Sequence, residues 1–204
     1  MDLDALLDDP KSLSRLRVLR AARRLAADKG LSISMEEIAV AAELSRRSVF
    51  RLFDSRDSLV AQALAQIVDD YDETLVAAIE SSEPFDVWLT NLITRLYELH
   101  HTSGKAMWQL TASDDDDLPA ELAALNRRRR DNRHAFTQVI ADAAWHKGGG
   151  QGSCPPIVSD ACAATISTFT TRSVVDDYGI GIDRAVACTV TLLTHLIHHE
   201  GAAR

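Results

Sequence analysis

Two serine caps constrain this chain of 204 residues more than any other feature: Ser34 and Ser45 follow one another by eleven residues. A helix that starts after the first has room for only about two turns before the second intervenes. Ser34 and Glu37 have the spacing of a capping box, and Ile33 is placed to staple onto Ile38. Leu44 and Val49 flank Ser45 in the same way, and Asp54 or Ser55 opens a third helix. Helices this short are marginal alone and need packing against neighbours. Short helix, tight turn, short helix is the layout of a helix-turn-helix nucleic-acid reader. The second helix begins with Arg46 and Arg47, where base edges and phosphates would be met.

A net charge of −8 argues at first against nucleic acid. Its distribution reverses that reading. From Lys11 to Arg56 there are eleven Lys/Arg and five Asp/Glu, a net of +6, which leaves −14 for the rest. A basic N-terminal quarter on an acidic body fits a small DNA-binding head joined to a larger domain with another task. No apolar run approaches the ~20 residues of a membrane span. The acidic start Met1-Asp2-Leu3-Asp4 lacks the basic and apolar regions of a signal peptide, so a cytoplasmic location is expected. Cys154, Cys162 and Cys188 are odd in number and include no C-x-x-C, against a disulfide framework or a zinc finger.

The periodicity is helical throughout, with no strand pattern and no repeat. Residues 1–10 read as a disordered arm, and Lys11 to Lys29 as a basic helix stopped by Gly30. Glu43 occupies the turn position where glycine is usual, so strain or a different turn is expected there. A long helix runs from Arg56 to about Ser81, and others from Phe85 to Thr102 and from Lys105 to Ala112. Another follows Leu118-Pro119 to about Trp145, carrying Arg127 to Arg130 and Arg133. A Gly/Pro-rich loop, 146–156, precedes two final helices, Ile157 to about Tyr178 and Asp183 to about Glu200. The last is apolar on two faces and so needs two partners, its own core and a second chain. The organisation expected is an arm (1–10), a helix-turn-helix DNA-binding domain (11–58) and a helical effector-binding and dimerisation domain (59–204).

At this point the sequence resembles the TetR family of transcriptional regulators. The match lies in Ala21-Ala22, Leu25, Gly30, Ser34, Ile38-Ala39, Ala42, Ser45, Phe50-x-x-Phe53, Arg56 and Leu59. The resemblance implies an all-α fold of about nine helices: a three-helix head, then a helical ligand-binding and dimerisation domain. It also implies a homodimer through the last two helices (157–178 and 183–200) and a palindromic operator. The implied role is most often a repressor released by a small-molecule effector. Three positions depart from the family pattern. Phe50 replaces a frequent tyrosine and lacks its phosphate-binding hydroxyl. Arg56 stands for a frequent lysine, and Arg47 fills a position that is often small.

The residues expected at the operator are Ser34, Ser45, Arg46, Arg47, Ser48, Phe50, Arg51 and Arg56. Arg47 is the leading base reader, able to take guanine O6 and N7. Ser34, Ser45, Phe50 and Arg56 are positioning candidates at the phosphates. The competing roles are capping for the serines, core packing for Phe50 and solvated charge for the arginines. The expected effector pocket is Trp88, Leu92, Leu96, His100, Met107, Trp108 and Phe136, apolar walls with a few polar groups. Any one of these can equally be ordinary core. No cofactor is expected. His195, His198 and His199 share a helix face and can bind zinc or nickel, which leaves a metal-responsive regulator as an alternative. A helical metal-dependent enzyme is a weaker one, because no H-E-x-x-H, nucleophile elbow or E-x-x-H pair is present. A helical adaptor without DNA binding is opposed by Arg46, Arg47 and Arg56.

Overall fold

The computed structural model describes residues 10–203. The arm expected at 1–10 lies, Pro10 apart, outside the described residues. Among the described residues every regular element is helical: α1 Pro10–Lys29, α2 Met35–Ala41, α3 Arg46–Leu52, α4 Arg56–Ile79 and α5 Phe85–Thr102. Then come α6 Gly104–Ala112, a 3₁₀ turn Asp115–Asp117, α7 Ala120–Lys147, α8 Pro156–Thr165, α9 Thr168–Thr171, a π-helical segment Arg172–Asp177 and α10 Ile182–Ala202.

Two compact units form, and neither is continuous in sequence. The first comprises residues up to Asp69 and Ser103–Arg128, the second Asp70–Thr102 and Arg129–Arg204. In the first unit Val18, Ala22 and Ala26 of α1 lie buried one turn apart and meet Ile38, Val49, Phe53, Leu59 and Leu64. Ala106, Leu110 and Leu122 join the same core, so α6 and the start of α7 pack with the short helices. Two glycines permit this. Gly30 ends α1 at φ +90°, and a Cβ there would lie 2.2 Å from Gln109 Oε1. That oxygen instead accepts the Leu31 N–H at 2.7 Å. Gly104 begins α6 so close to α1 that a Cβ would stand 2.7 Å from the Ala27 Cα.

In the second unit α5 carries Trp88, Leu92, Ile93, Leu96 and Tyr97 into a core shared with Ile140 and Trp145 of α7 and Val186, Leu193 and Ile197 of α10. The single helix expected over Ile157–Tyr178 is instead broken into α8, α9 and the π-helical segment. Side chains take the carbonyls that would continue α8. The Tyr97 hydroxyl donates to Thr165 O at 3.0 Å, and Thr170 Oγ1 donates to Ala164 O. Ser167 then caps a fresh turn, its Oγ accepting the Thr170 N–H at 3.0 Å. The wider pitch follows, with Tyr178 N–H donating to Ser173 O at 3.0 Å, a step of five residues. No helix of the described residues is long and apolar enough to cross a membrane.

Candidate nucleic-acid interface

Ser34 caps α2 with both halves of a capping box. Its Oγ accepts the Glu37 N–H at 3.2 Å, and Glu37 accepts from the Ser34 N–H at 2.8 Å. Lys29 donates to the same carboxylate at 2.7 Å. That bond first, and the Ser34 bonds after it, hold the Glu37 carboxyl down at about 2.

The turn after α2 closes as a Schellman motif. Leu44 N–H donates to Ala39 O at 3.0 Å and Glu43 N–H to Val40 O at 3.1 Å. The left-handed residue this motif demands is Glu43, at φ 56°, so the expected strain is present. Arg17 braces the same turn, donating to Ala42 O at 3.0 Å and pairing with the Glu43 carboxylate at 3.1 Å.

Ser45 caps α3, its Oγ accepting the Ser48 N–H at 3.1 Å and meeting the Ser48 hydroxyl at 2.8 Å. Val49 is fully buried and anchors one side, with Phe53 just beyond the last turn. The opposite side presents Arg46, Arg47, Phe50 and Arg51 to solvent, while Ser48 is partly covered. Phe50 is 45% exposed, so Val49 and Phe53, not Phe50, supply the packing of this helix. Arg46 lies over the Phe50 ring at 5.4 Å and 3.9 Å from Glu36, a loose surface pair. Arg47 and Arg51 have no hydrogen-bond or ion-pair partner among the described residues.

Arg56 differs from the other arginines expected at the operator. Its Nε donates to Ile33 O at 2.8 Å and its Nη1 pairs with Asp57, so two guanidinium nitrogens already fasten α4 to the entry of α2. Arg15 has a similar internal role that the sequence did not reveal. It donates to Leu52 O at 2.8 Å and to Gln62, and lies 4.4 Å over the Phe53 ring. Of the basic face of α1, Arg20 and Arg24 stay exposed. With Arg17 they line a shallow groove of about 240 Å³ beside the Glu43 turn.

The seven residues expected around an effector do not fall in one unit. Met107 and Trp108 belong to the first. In the second, Trp88, Leu92 and Leu96 are buried core, and His100 and Phe136 are partly covered. His100 is held at both nitrogens. Nε2 lies 3.2 Å from the Tyr71 hydroxyl, the two rings stacked, and Nδ1 lies 3.0 Å from Thr171 Oγ1. Thr171 gives its own proton to Ser167 O at 3.2 Å, so it accepts from Nδ1–H, and Nε2 accepts from Tyr71. Burial, and after it the charges of Arg133 and Arg129, push His100 down to about 4, which keeps the ring neutral near pH 7. A separate groove of about 580 Å³ has Trp88 and Leu92 on its wall and the polar groups of Glu83, Asn91, Arg95 and Glu98 along it.

His195, His198 and His199 are exposed on α10, and His198 tilts against Phe85 at 6.0 Å. Among the described residues no three His, Cys, Asp or Glu side chains are placed to hold a metal ion.

A capped two-turn helix, a closed turn and a second capped helix with an arginine-lined outer face define a helix-turn-helix DNA-binding protein. The family model of bacterial regulatory proteins, tetR family, matches residues 18–63, the stretch that contains all of these parts. The chain belongs to the TetR family of transcriptional regulators, and members of that class are regulators, not enzymes. Solved structures share the fold. The transcriptional regulator FadR from Bacillus subtilis, in complex with stearoyl-CoA, is 14% identical with a TM-score of 0.64, over 88% of this chain and 97% of that one. A candidate transcriptional regulator from Saccharomonospora viridis, in complex with choline, is 17% identical with a TM-score of 0.69, over 90% and 97%. A transcriptional regulator of the TetR/AcrR family from Thermobifida fusca is 16% identical with a TM-score of 0.64, over 88% and 96%. No curated protein matches the chain in sequence.

Proposed function

We propose that this DNA-binding regulator is a cytoplasmic, homodimeric one-component repressor, released from a palindromic operator when a small molecule binds its second unit. The outer face of α3 carries the proposal: Arg47 and Arg51 project from a helix whose inner side is locked by Val49. In this reading Arg47 takes a guanine edge and Arg46 and Arg51 flank it. Ser45, Ser48 and the Phe50 ring sit against the phosphodiester backbone. Ser34 and Arg56 act mainly by fixing the entry to α2, because their polar atoms are already engaged.

Operator contacts come from residues 11–58, with α6 and the start of α7 adding core beneath them. Effector binding and dimerisation belong to 59–204. The outward side of α10, with Ala187, Cys188, Thr191 and Leu192 exposed, suits pairing with a second copy. Leu192 is 63% exposed and Ile157 of α8 51%, large apolar side chains that such a partner would cover. Two copies would then set their α3 helices about 34 Å apart, one turn of B-DNA. Helix α4 contributes residues to both units and is the route for a shift in head spacing. Relatives of the same fold bound to stearoyl-CoA and to choline support the effector half of the reading. The C-terminal histidines gain no support as a metal sensor.

A gel shift on the DNA upstream of its own gene, run over a salt series, tests the proposal. A specific complex is expected whose affinity exceeds that for random duplex and falls steeply with salt. Equal affinity for random duplex, with no effect of Arg47→Ala, would sink it.

A further inference from the structure

Arg129, Arg130 and Arg133 follow one another within little more than one turn of α7, and Arg129 and Arg133, four apart, share a face. Arg127 and Arg128 just before them are surface residues paired with Asp115 and Asp69. Arg129 and Arg133 are different: both side chains are partly covered. Both also act on Tyr71 and His100, the stacked pair that joins α4 to α5. Burial first, then Arg133 and Arg130, lower the Arg129 guanidinium to about 10, so the balance of forces on it is repulsive. The carboxylate nearest in sequence on α4, Asp72, accepts from Asn132 at 2.5 Å. His100 adds no counter-charge, since it is neutral. Phe136, three residues beyond Arg133, lies partly buried against the same core. Two crowded, half-desolvated guanidiniums beside an aromatic surface are the groups that recognise an oxyanion carried on an apolar body.

We propose that Arg129 and Arg133 bind the oxyanion head, a carboxylate or phosphate, of a small organic effector whose apolar part lies along Phe136. This rests on the effector-controlled regulator described above and names the chemical class of its effector. The bound anion offsets the repulsion among the arginines and changes the charge felt by Tyr71 on α4. The site therefore has a physical link to the helix that leads towards the operator-reading residues.

Thermal melts of the full-length protein test it without knowledge of the natural ligand. The probes are inorganic phosphate against chloride at matched ionic strength, and octanoate against octanol. The wild type is expected to gain about 2–4 °C with phosphate or octanoate, and none with octanol. The gain should disappear in Arg129→Met and Arg133→Met and persist in the control Arg130→Gln. With the repulsion relieved, Arg129→Met in chloride should melt at or above the wild-type temperature. If neither phosphate nor octanoate gives an Arg129-dependent gain, the proposal falls. A lower melting point for Arg129→Met in chloride also overturns it, since Arg129 is then part of a structural ion pair. The wild-type gel shift separates the two readings. No operator complex with the anion effect present overturns the regulator and leaves the site; an operator complex with no anion effect does the reverse.

Discussion

Two sets of arginines, on α3 in the first unit and on α7 in the second, look alike as sequence and behave differently in the fold. Arg47 and Arg51 project from a short helix into solvent, where full hydration keeps them cationic at little cost. Arg129 and Arg133 sit half covered and crowded, beside a histidine that burial and those same arginines keep neutral. The difference teaches what each set suits. Exposed guanidiniums on a rigid helix face can meet a long polyanion whose phosphates lie on a surface. Crowded, partly desolvated ones are eased by one compact anion that fits among them. A third group, Arg15 and Arg17, is engaged by the fold itself through backbone carbonyls.

The largest expected effect sharpens the contrast from the side of the second unit. His100 has a folded pKa of about 4 against an ordinary 6.5. The unfolded chain therefore binds more protons between those values, and stability rises with pH across that window. As pH falls from about 6.5 through 4 the protein should lose stability, on the order of 3 kcal/mol once His100 must charge on folding. Urea denaturation at pH 7, 5.5 and 4 measures it. His100→Gln should flatten that part of the curve; an unchanged slope would mean the ring is solvated. Glu37 acts lower on the scale. Its carboxyl is depressed, so its contribution is present above about 4.5 and fades as pH falls towards 2, and Glu37→Gln should remove that lower limb.

Next is the arginine that the fold uses. Arg15→Ala removes two charge-assisted hydrogen bonds and a ring contact from a partly buried site, and should cost about 2–3 kcal/mol in urea denaturation. Arg47→Ala tests the opposite class. Stability should stay within about 0.5 kcal/mol, and operator affinity should fall by about 1–3 kcal/mol in a gel shift. A result in which Arg15→Ala weakens only DNA binding, or Arg47→Ala only stability, would break the comparison.

What could be read from the sequence tracks how local each cause is. Ser34 and Ser45 were legible because a cap bonds to an amide three residues on, and Gly30 because only its own backbone needs the left-handed region. The basic head was legible as charge, but the separate tasks of its arginines were not: Arg15 meets Leu52 and Gln62, far along the chain. The break after Thr165 was hidden for the same reason, since the hydroxyl that takes its carbonyl belongs to Tyr97. Packing of α6 with the head depends on Gln109 fitting a space that only Gly30 leaves. The expected pocket list mixed two units because apolar helix faces look the same whichever core they enter.

The smallest effect concerns the turn that sets the α3 face. Glu43 holds a left-handed conformation that costs a non-glycine residue about 1 kcal/mol or more. Its exposed pair with Arg17 returns only a fraction of that. Arg17 keeps its bond to Ala42 O whatever stands at 43. Glycine would relieve the strain but add about 0.5–1 kcal/mol of unfolded-state entropy. The terms nearly cancel, leaving Glu43→Gly more stable by about 0.5 kcal/mol, a rise in Tm of about 1–2 °C. Operator affinity should hold, since the Schellman bonds that orient α3 use backbone atoms alone. If the variant instead loses stability, the Arg17 pair is worth more than a surface pair, and α1 positions the reading helix by charge as well as by packing.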